Sequence, residues 1–325
     1  MATPASEPSL LAPRHWPAWT GIALIWLLAQ LPWWLQRRLG AGLGRLSYKF
    51  LGQRVDDTRI NLRLCFPEKS ETERELMVRD VFHNAGLTLF ETANAWFRPV
   101  DYYRGRFSIE GLEDLLALKA SGKSILMLGG HYSMLDLGGL LLSLHCKVTT
   151  IYRPQKNAVL NHVMVRQRIR NGNRMIANED MRRLLRALKT DIVWYASDQD
   201  YGYKHAVFAP FFGIPAATMT VPSRMARLNH SAMVMIHYYR VGDSEQYRVR
   251  ISAPLDNMPG DDDVVDAGRI NAELEKLIRV APTQYMWYHR RFKSPPPGTK
   301  APYPDKPKWQ RRAAQAAARE ARNKP

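Results

Sequence analysis

Along most of the chain, short apolar or β-branched runs alternate with stretches whose apolar residues return every three or four positions. The runs at 124–128, 148–152, 192–196, 232–239 and 247–252 predict strands. The stretches at 134–144, 158–171, 181–189, 219–228 and 264–280 carry helical spacing. Strands alternating with helices predict an α/β fold, with a mixed, largely parallel sheet flanked by helices. Upstream, Leu76, Val81, Leu87 and Phe90 recur at helical spacing over residues 71–97, predicting one or two helices. Ser70, followed three residues on by Glu73, predicts a capping box at their start. The chain shows no internal repeat.

The N-terminal pattern is different. From Trp16 to Gln36 no residue is charged, and tryptophans stand at both ends (Trp16, Trp19, Trp33, Trp34). A run of about 20 apolar residues is long enough to cross a hydrocarbon core of about 30 Å, and the rings suit the interfaces. The expectation is an N-terminal membrane helix. Pro32 and Gln30 leave open a helix that lies in the interface without crossing it. A buried core helix is the third reading. The run has no small-residue cleavage site, which argues against a signal peptide. Arg37, Arg38, Arg45, Lys49 and Arg54 follow it, against Arg14 before it, so the positive-inside rule puts the rest of the chain on the cytoplasmic side. Three segments follow: 1–36 with the anchor, a working domain over 37–294, and a basic Pro/Ala/Arg-rich tail over 295–325. The tail, with Lys300, Lys306, Lys308, Arg311, Arg312, Arg319, Arg322 and Lys324, reads either as a phosphate-contacting segment or as a solvated one.

Charge sharpens this picture. With 47 Lys and Arg against 30 Asp and Glu, the net charge is +17, which calls for an anionic partner: nucleic acid, an acidic protein or anionic lipid. Nine Trp and 14 Tyr favour a membrane surface. Two cysteines, Cys65 and Cys146, exclude a disulfide scaffold and a Cys-rich zinc site.

Candidate chemistry concentrates in SILMLGGHYSMLDLGG, residues 124–139. A strand runs into Gly129 and Gly130, then His131, then Asp136 at the start of a helical pattern. The glycines would let the backbone turn tightly and approach a bound group. His131 in the turn can meet Asp136 in the first helical turn, and a carboxylate against an imidazole fixes its tautomer and stabilises the imidazolium, making a general base. The chain has no Gly-x-Ser-x-Gly elbow, and Ser133 has no other mark of a nucleophile. Walker, GxGxxG and zinc-ligand spacings are also missing, so no metal or cofactor is expected. Arg153, after a strand, offers a planar fork for phosphate or carboxylate, and Arg168 and Arg170 project from a helical stretch toward the same kind of group. Asp198 and Asp200 follow a strand end, where α/β sheets collect their ligands.

These blocks resemble the lipid A biosynthesis (late) acyltransferases of the lysophospholipid acyltransferase superfamily. The resemblance runs nearly end to end, through NLRLCFPE (61–68), GGHYSMLD (129–136), YRP (152–154), VWYASDQDYG (193–202), VFAPFFGIPAAT (207–218) and QYMWYHRRFK (284–293). It looks closest to the branch that adds a lauroyl or similar chain after the Kdo sugars. In the family a His-x4-Asp/Glu pair is the catalytic dyad, which implies His131 and Asp136; the branch often has Glu at the second position, so Asp136 is one methylene shorter. The resemblance also implies activity roles for Arg168 and Asp198, with Arg153 and Asp200 as further substrate contacts. It implies transfer of an acyl chain from acyl carrier protein to a Kdo-bearing lipid A precursor at the inner membrane, beside membrane phospholipid, with no nucleic acid partner. The oxyanion would be met by Gly129–Gly130 backbone or by Arg168. Two other classes remain open: an acyltransferase using a glycerolipid or ornithine-lipid acceptor, and a non-catalytic basic protein that binds membrane or nucleic acid.

Overall fold

The computed structural model describes residues 10–304. Its longest helix, α4 (Glu71–Phe97), starts at the expected capping box: Ser70 Oγ accepts the Glu73 N–H and the Glu73 carboxylate accepts the Ser70 N–H. The stretch is one helix rather than two. Against it lie α1 (Trp16–Gln30), α2 (Trp33–Phe50) and α3 (Gly52–Cys65). The α2–α4 crossing is very close, because Gly40 and Gly44 on one helix face Gly86 on the other; a Cβ on Gly86 would fall 2.1 Å from the Gly40 carbonyl oxygen.

The uncharged N-terminal run is therefore not one helix. Pro32 has no N–H to continue the ladder, Leu31 turns extended at ψ 148°, and α1 ends after 15 residues, about 22 Å. The break is held by partners. Gln36, fully buried at the start of α2, donates to the carbonyls of Leu28 and Leu31 and exchanges hydrogen bonds with Asn94 of α4, while Arg98 Nη2 donates to Leu31 O at 2.7 Å. Among the described residues no helix is long and apolar enough to cross a membrane, and this corrects the expected transmembrane helix. Most of the expected basic tail, from residue 305 on, lies outside the described residues. Its first part folds back, and Tyr303 is buried with its hydroxyl donating to Asn61.

The sheet is mixed and largely parallel, as expected, with seven strands in the order β1-β9-β8-β2-β5-β3-β4. These are β1 (Phe107–Glu110), β2 (Ile125–Gly129), β3 (Val148–Tyr152), β4 (Arg174–Ala177), β5 (Ile192–Ala196), β8 (Ala232–Arg240) and β9 (Tyr247–Ile251). All neighbours pair parallel except β8 with β9. The central strand β2 is buried along its whole length, which is why ILMLG is a continuous apolar run and not an alternating one. Crossover helices α5 (Leu112–Ala120), α6 (Leu135–Ser143), α7 (Ala158–Ile169) and α8 (Met181–Leu188) link the parallel strands. A separate ribbon, β6 (Ala206–Phe211) and β7 (Ile214–Met219), packs against α10 (Asp263–Val280), and α9 (Val221–Asn229) leads into β8.

β1, β4 and the β6–β7 ribbon had not been expected as strands. The first two have four residues each. In the ribbon, Pro210 sits opposite Pro215, a pattern that reads against a strand; a two-stranded ribbon tolerates it because proline removes a ladder donor only where no third strand needs one.

Candidate active site

The site forms at the carboxyl ends of two adjacent central strands. β2 and β5 run in register with Gly129 beside Ala196, so the residues that follow each strand emerge side by side. From β2 comes His131; from β5 comes Asp198. Asp198 Oδ1 lies 2.7 Å from His131 Nδ1, and Oδ2 accepts the His131 backbone N–H at 2.8 Å. The carboxylate thus fixes both ring and backbone. It also places the ring proton on Nδ1, which leaves Nε2 as the basic nitrogen. The imidazole is 21% exposed and lines a cavity of about 860 Å³, while the carboxylate behind it is 1% exposed.

The electrostatics follow from this placement. Burial alone would lower the His131 pKa; the charge and hydrogen bond of Asp198 outweigh it against the opposing field of Arg168, and the net shift is upward. Burial likewise works against the Asp198 charge, but the imidazole, its hydrogen bonds and the Tyr285 hydroxyl hold the carboxyl down to about 2.

The expected contact between His131 and Asp136 is not formed. Asp136, in the first turn of α6, takes a bidentate pair from Arg168 on α7, with Nε at 2.6 Å and Nη2 at 3.0 Å, and a third bond from Trp96 Nε1 at 3.1 Å. Both Asp136 and Arg168 line the same cavity as His131. Neither bond uses Arg168 Nη1, which has no hydrogen-bond partner among the described residues.

The other expected contacts divide. Arg153 is exposed at the cavity lining, with no ion-pair partner among the described residues. Arg170 is drawn away: its guanidinium donates to the carbonyls of Ala95 and Trp96 at 2.8 and 2.9 Å and so caps the C-terminal end of α4. Asp200 is also structural, accepting the N–H groups of Gly202 at 2.7 Å and Ser294 at 2.8 Å. Asp198, expected to contact substrate, instead stands behind the imidazole.

Gly129 and Gly130 sit in tight surroundings, and neither has a positive φ. A Cβ on Gly129 would come within 3.2 Å of Ile236 and Trp194, and one on Gly130 within 3.2 Å of the Tyr132 ring. Ser133 Oγ is buried without a hydrogen-bond partner among the described residues and makes no bond to His131. Sequence reasoning missed Trp96 and Tyr285, and no local pattern marks either one. Among the described residues no cluster of three or more His, Cys, Asp or Glu is arranged to hold a metal ion.

The cavity that His131 and Arg168 line is also lined by Leu135, Leu142, Met164 and Met175, and by residues of β3, β4, β5 and β8. Among the described residues, an imidazole with a free Nε2 and a guanidinium with a free Nη1 share one cavity that also carries apolar side chains, which suits attack by a hydroxyl on an acyl group.

Comparison with known proteins identifies the family. Residues 3–294 match the family model for bacterial lipid A biosynthesis acyltransferase. The chain is 37% identical to the lipid A biosynthesis lauroyltransferase of Escherichia coli (strain K12) over 302 residues, covering 92% of this chain and 99% of the relative. It is also 37% identical over 295 residues to the palmitoleoyltransferase of the same strain, covering 90% and 96%. The E. coli myristoyltransferase is more distant, at 28% over 303 residues, with 92% and 94% covered. On a match spanning nearly the whole described chain, this protein belongs to the bacterial lipid A biosynthesis acyltransferase family.

Proposed function

We propose that this protein moves a fatty acyl chain from acyl carrier protein to a hydroxyl of a hydroxyacyl chain on a Kdo-bearing lipid A precursor. The observation that carries the reading is His131, oriented by Asp198, lining one cavity together with Arg168. In this reading Nε2 of His131 takes the proton as the acceptor oxygen attacks the thioester carbonyl. The developing oxyanion is met by Arg168 Nη1, whose other donors Asp136 holds in place. Collapse breaks the C–S bond, and the imidazolium returns its proton to the departing thiolate, so the products are the new ester and the free carrier thiol. No metal or cofactor enters these steps. Arg153 at the cavity lining is suited to the acceptor's phosphate or acidic sugars.

The same reading places the chain on the cytoplasmic face of the inner membrane. Leu39, Leu43, Leu46 and Phe50 form an exposed stripe on α2, and Trp16, Leu24 and Leu27 form one on α1. Arg38 and Lys49 flank the α2 stripe along the same helix, a pattern suited to an interface rich in anionic lipid.

The test is an acyl-transfer assay read by mass spectrometry. It uses full-length protein in detergent, the Kdo-bearing precursor, and carrier proteins loaded with 10- to 16-carbon chains. One added acyl mass, lost in His131→Ala, is the expected result, and the donor used gives the chain length. Transfer only to a glycerolipid acceptor, or full activity in His131→Ala, overturns it.

A further inference from the structure

The His131–Asp198 pair is braced by a part of the chain far from both strands. After α10 the backbone passes beside the 131–133 loop and bonds to it repeatedly. Ser133 N donates to Gln284 O at 2.8 Å, Met286 N donates to His131 O at 3.0 Å, and Tyr132 and Tyr285 form an antiparallel bridge. This segment is itself pinned. The Gln284 side chain exchanges two 2.8 Å bonds with the Arg240 backbone, and Asn61 Nδ2 donates to the carbonyls of Trp287 and His289. Tyr285 is thereby set against Asp198, with its hydroxyl donating to Oδ2 at 2.9 Å.

We propose that Tyr285 is a positioning residue of this centre: its hydroxyl fixes the Asp198 carboxylate, shares its charge, and so sets the basicity of His131. The inference rests on the acyl-transfer reading, in which His131 is the base. Oδ2 divides its charge between the His131 backbone N–H and the Tyr285 hydroxyl, and Oδ1 faces the imidazole. Each donor that draws on the carboxylate weakens its hold on the imidazolium. The other groups facing the pair are few. Arg168 on α7 opposes the His131 charge. His289, its ring centroid 6.2 Å from His131, is driven down to about 4 by burial and then by the His131 charge, so it is neutral at pH 7. Tyr132, Tyr238 and Tyr201 also feel the Asp198 charge, and burial first keeps their hydroxyls protonated. Tyr285 is likewise kept protonated, by burial first and then by Asp198, and so remains a donor across the working pH range.

The experiment is an NMR titration of the His131 ring in histidine-labelled full-length protein, assigned by its loss in His131→Ala and run beside the pH profile of kcat. Tyr285→Phe keeps the ring and its edge contact with Trp287. It should raise the His131 pKa, move the acid limb of kcat upward, and lower kcat about three- to tenfold with KM within about twofold. Site-specific 3-fluorotyrosine at 285, a stronger donor of nearly the same shape, should move the His131 pKa down; it also covers a failure of the Phe variant to fold. An unmoved titration in either folded variant, or shifts in the same direction in both, overturns the proposal. The titration needs no turnover, so it stands apart from failure of the acyl-transfer reading.

Discussion

Replacing Asp198 by Asn, beside Asp136 by Asn, separates the carboxylate that serves the imidazole from the one that serves Arg168. Asp198 is 2.7 Å from His131 Nδ1, which puts the charge centres about 4 Å apart. At an effective dielectric of about 20, a unit pair at that distance is worth about 4 kcal/mol to the imidazolium formed during attack. Lost in full, that is a fall of about 10³ in kcat/KM. Asn keeps the size but not the charge, and its amide group presents a donor to one of two sites that need acceptors. The acid limb should also move. Asp198 raises the His131 pKa, so removing its charge lets that pKa fall, and the base stays unprotonated to lower pH. Asp136→Asn acts through Arg168 and Trp96, the two side chains that donate to its carboxylate; it keeps one acceptor and should cost about 10- to 10²-fold. The assay is steady-state acyl transfer from pH 5 to 9 with melting curves for both variants. A folded Asp198→Asn within tenfold of the parent, or one milder than Asp136→Asn, would refute the role given to Asp198 and favour the His131–Asp136 dyad that the family resemblance implies.

Two further outcomes concern folding and the membrane surface. Glu91 is fully buried against Arg240, with Arg240 Nη1 at 2.7 Å, so Glu91→Ala leaves an uncompensated buried cation. It should cost about 3–5 kcal/mol and lower Tm by about 4–7 °C; a fall under about 2 °C would show that the charge is otherwise relieved. Leu46→Glu with Phe50→Glu alters side chains that are 55% and 70% exposed, so Tm should stay within about 2 °C. Binding to anionic vesicles should weaken at least tenfold in a flotation assay, and unchanged binding would remove α2 from the membrane face.

The amino-acid sequence by itself determined the elements whose signals are local. The capping box at Ser70 and Glu73 starts α4 because the two groups satisfy each other within four residues. The buried run at β2 and the helical spacing of α6 through α8 mark the parallel layer, since periodicity is a property of neighbours in the chain. His131 was legible as the candidate base from its place after that strand. Its partner was not. Asp136 and Asp198 offer the same carboxylate, and which one meets the imidazole depends on β2 and β5 lying in register, a pairing between residues 67 apart. Arg168 and Arg170 show the same division: two residues apart on one stretch, one lines the cavity and the other caps α4. The N-terminal run carried enough apolar residues to span a bilayer, yet Gln36, Asn94 and Arg98 hold it broken at Pro32. Composition records how apolar a segment is, whereas its length and direction as a helix are decided by hydrogen-bond partners that only the tertiary structure brings near.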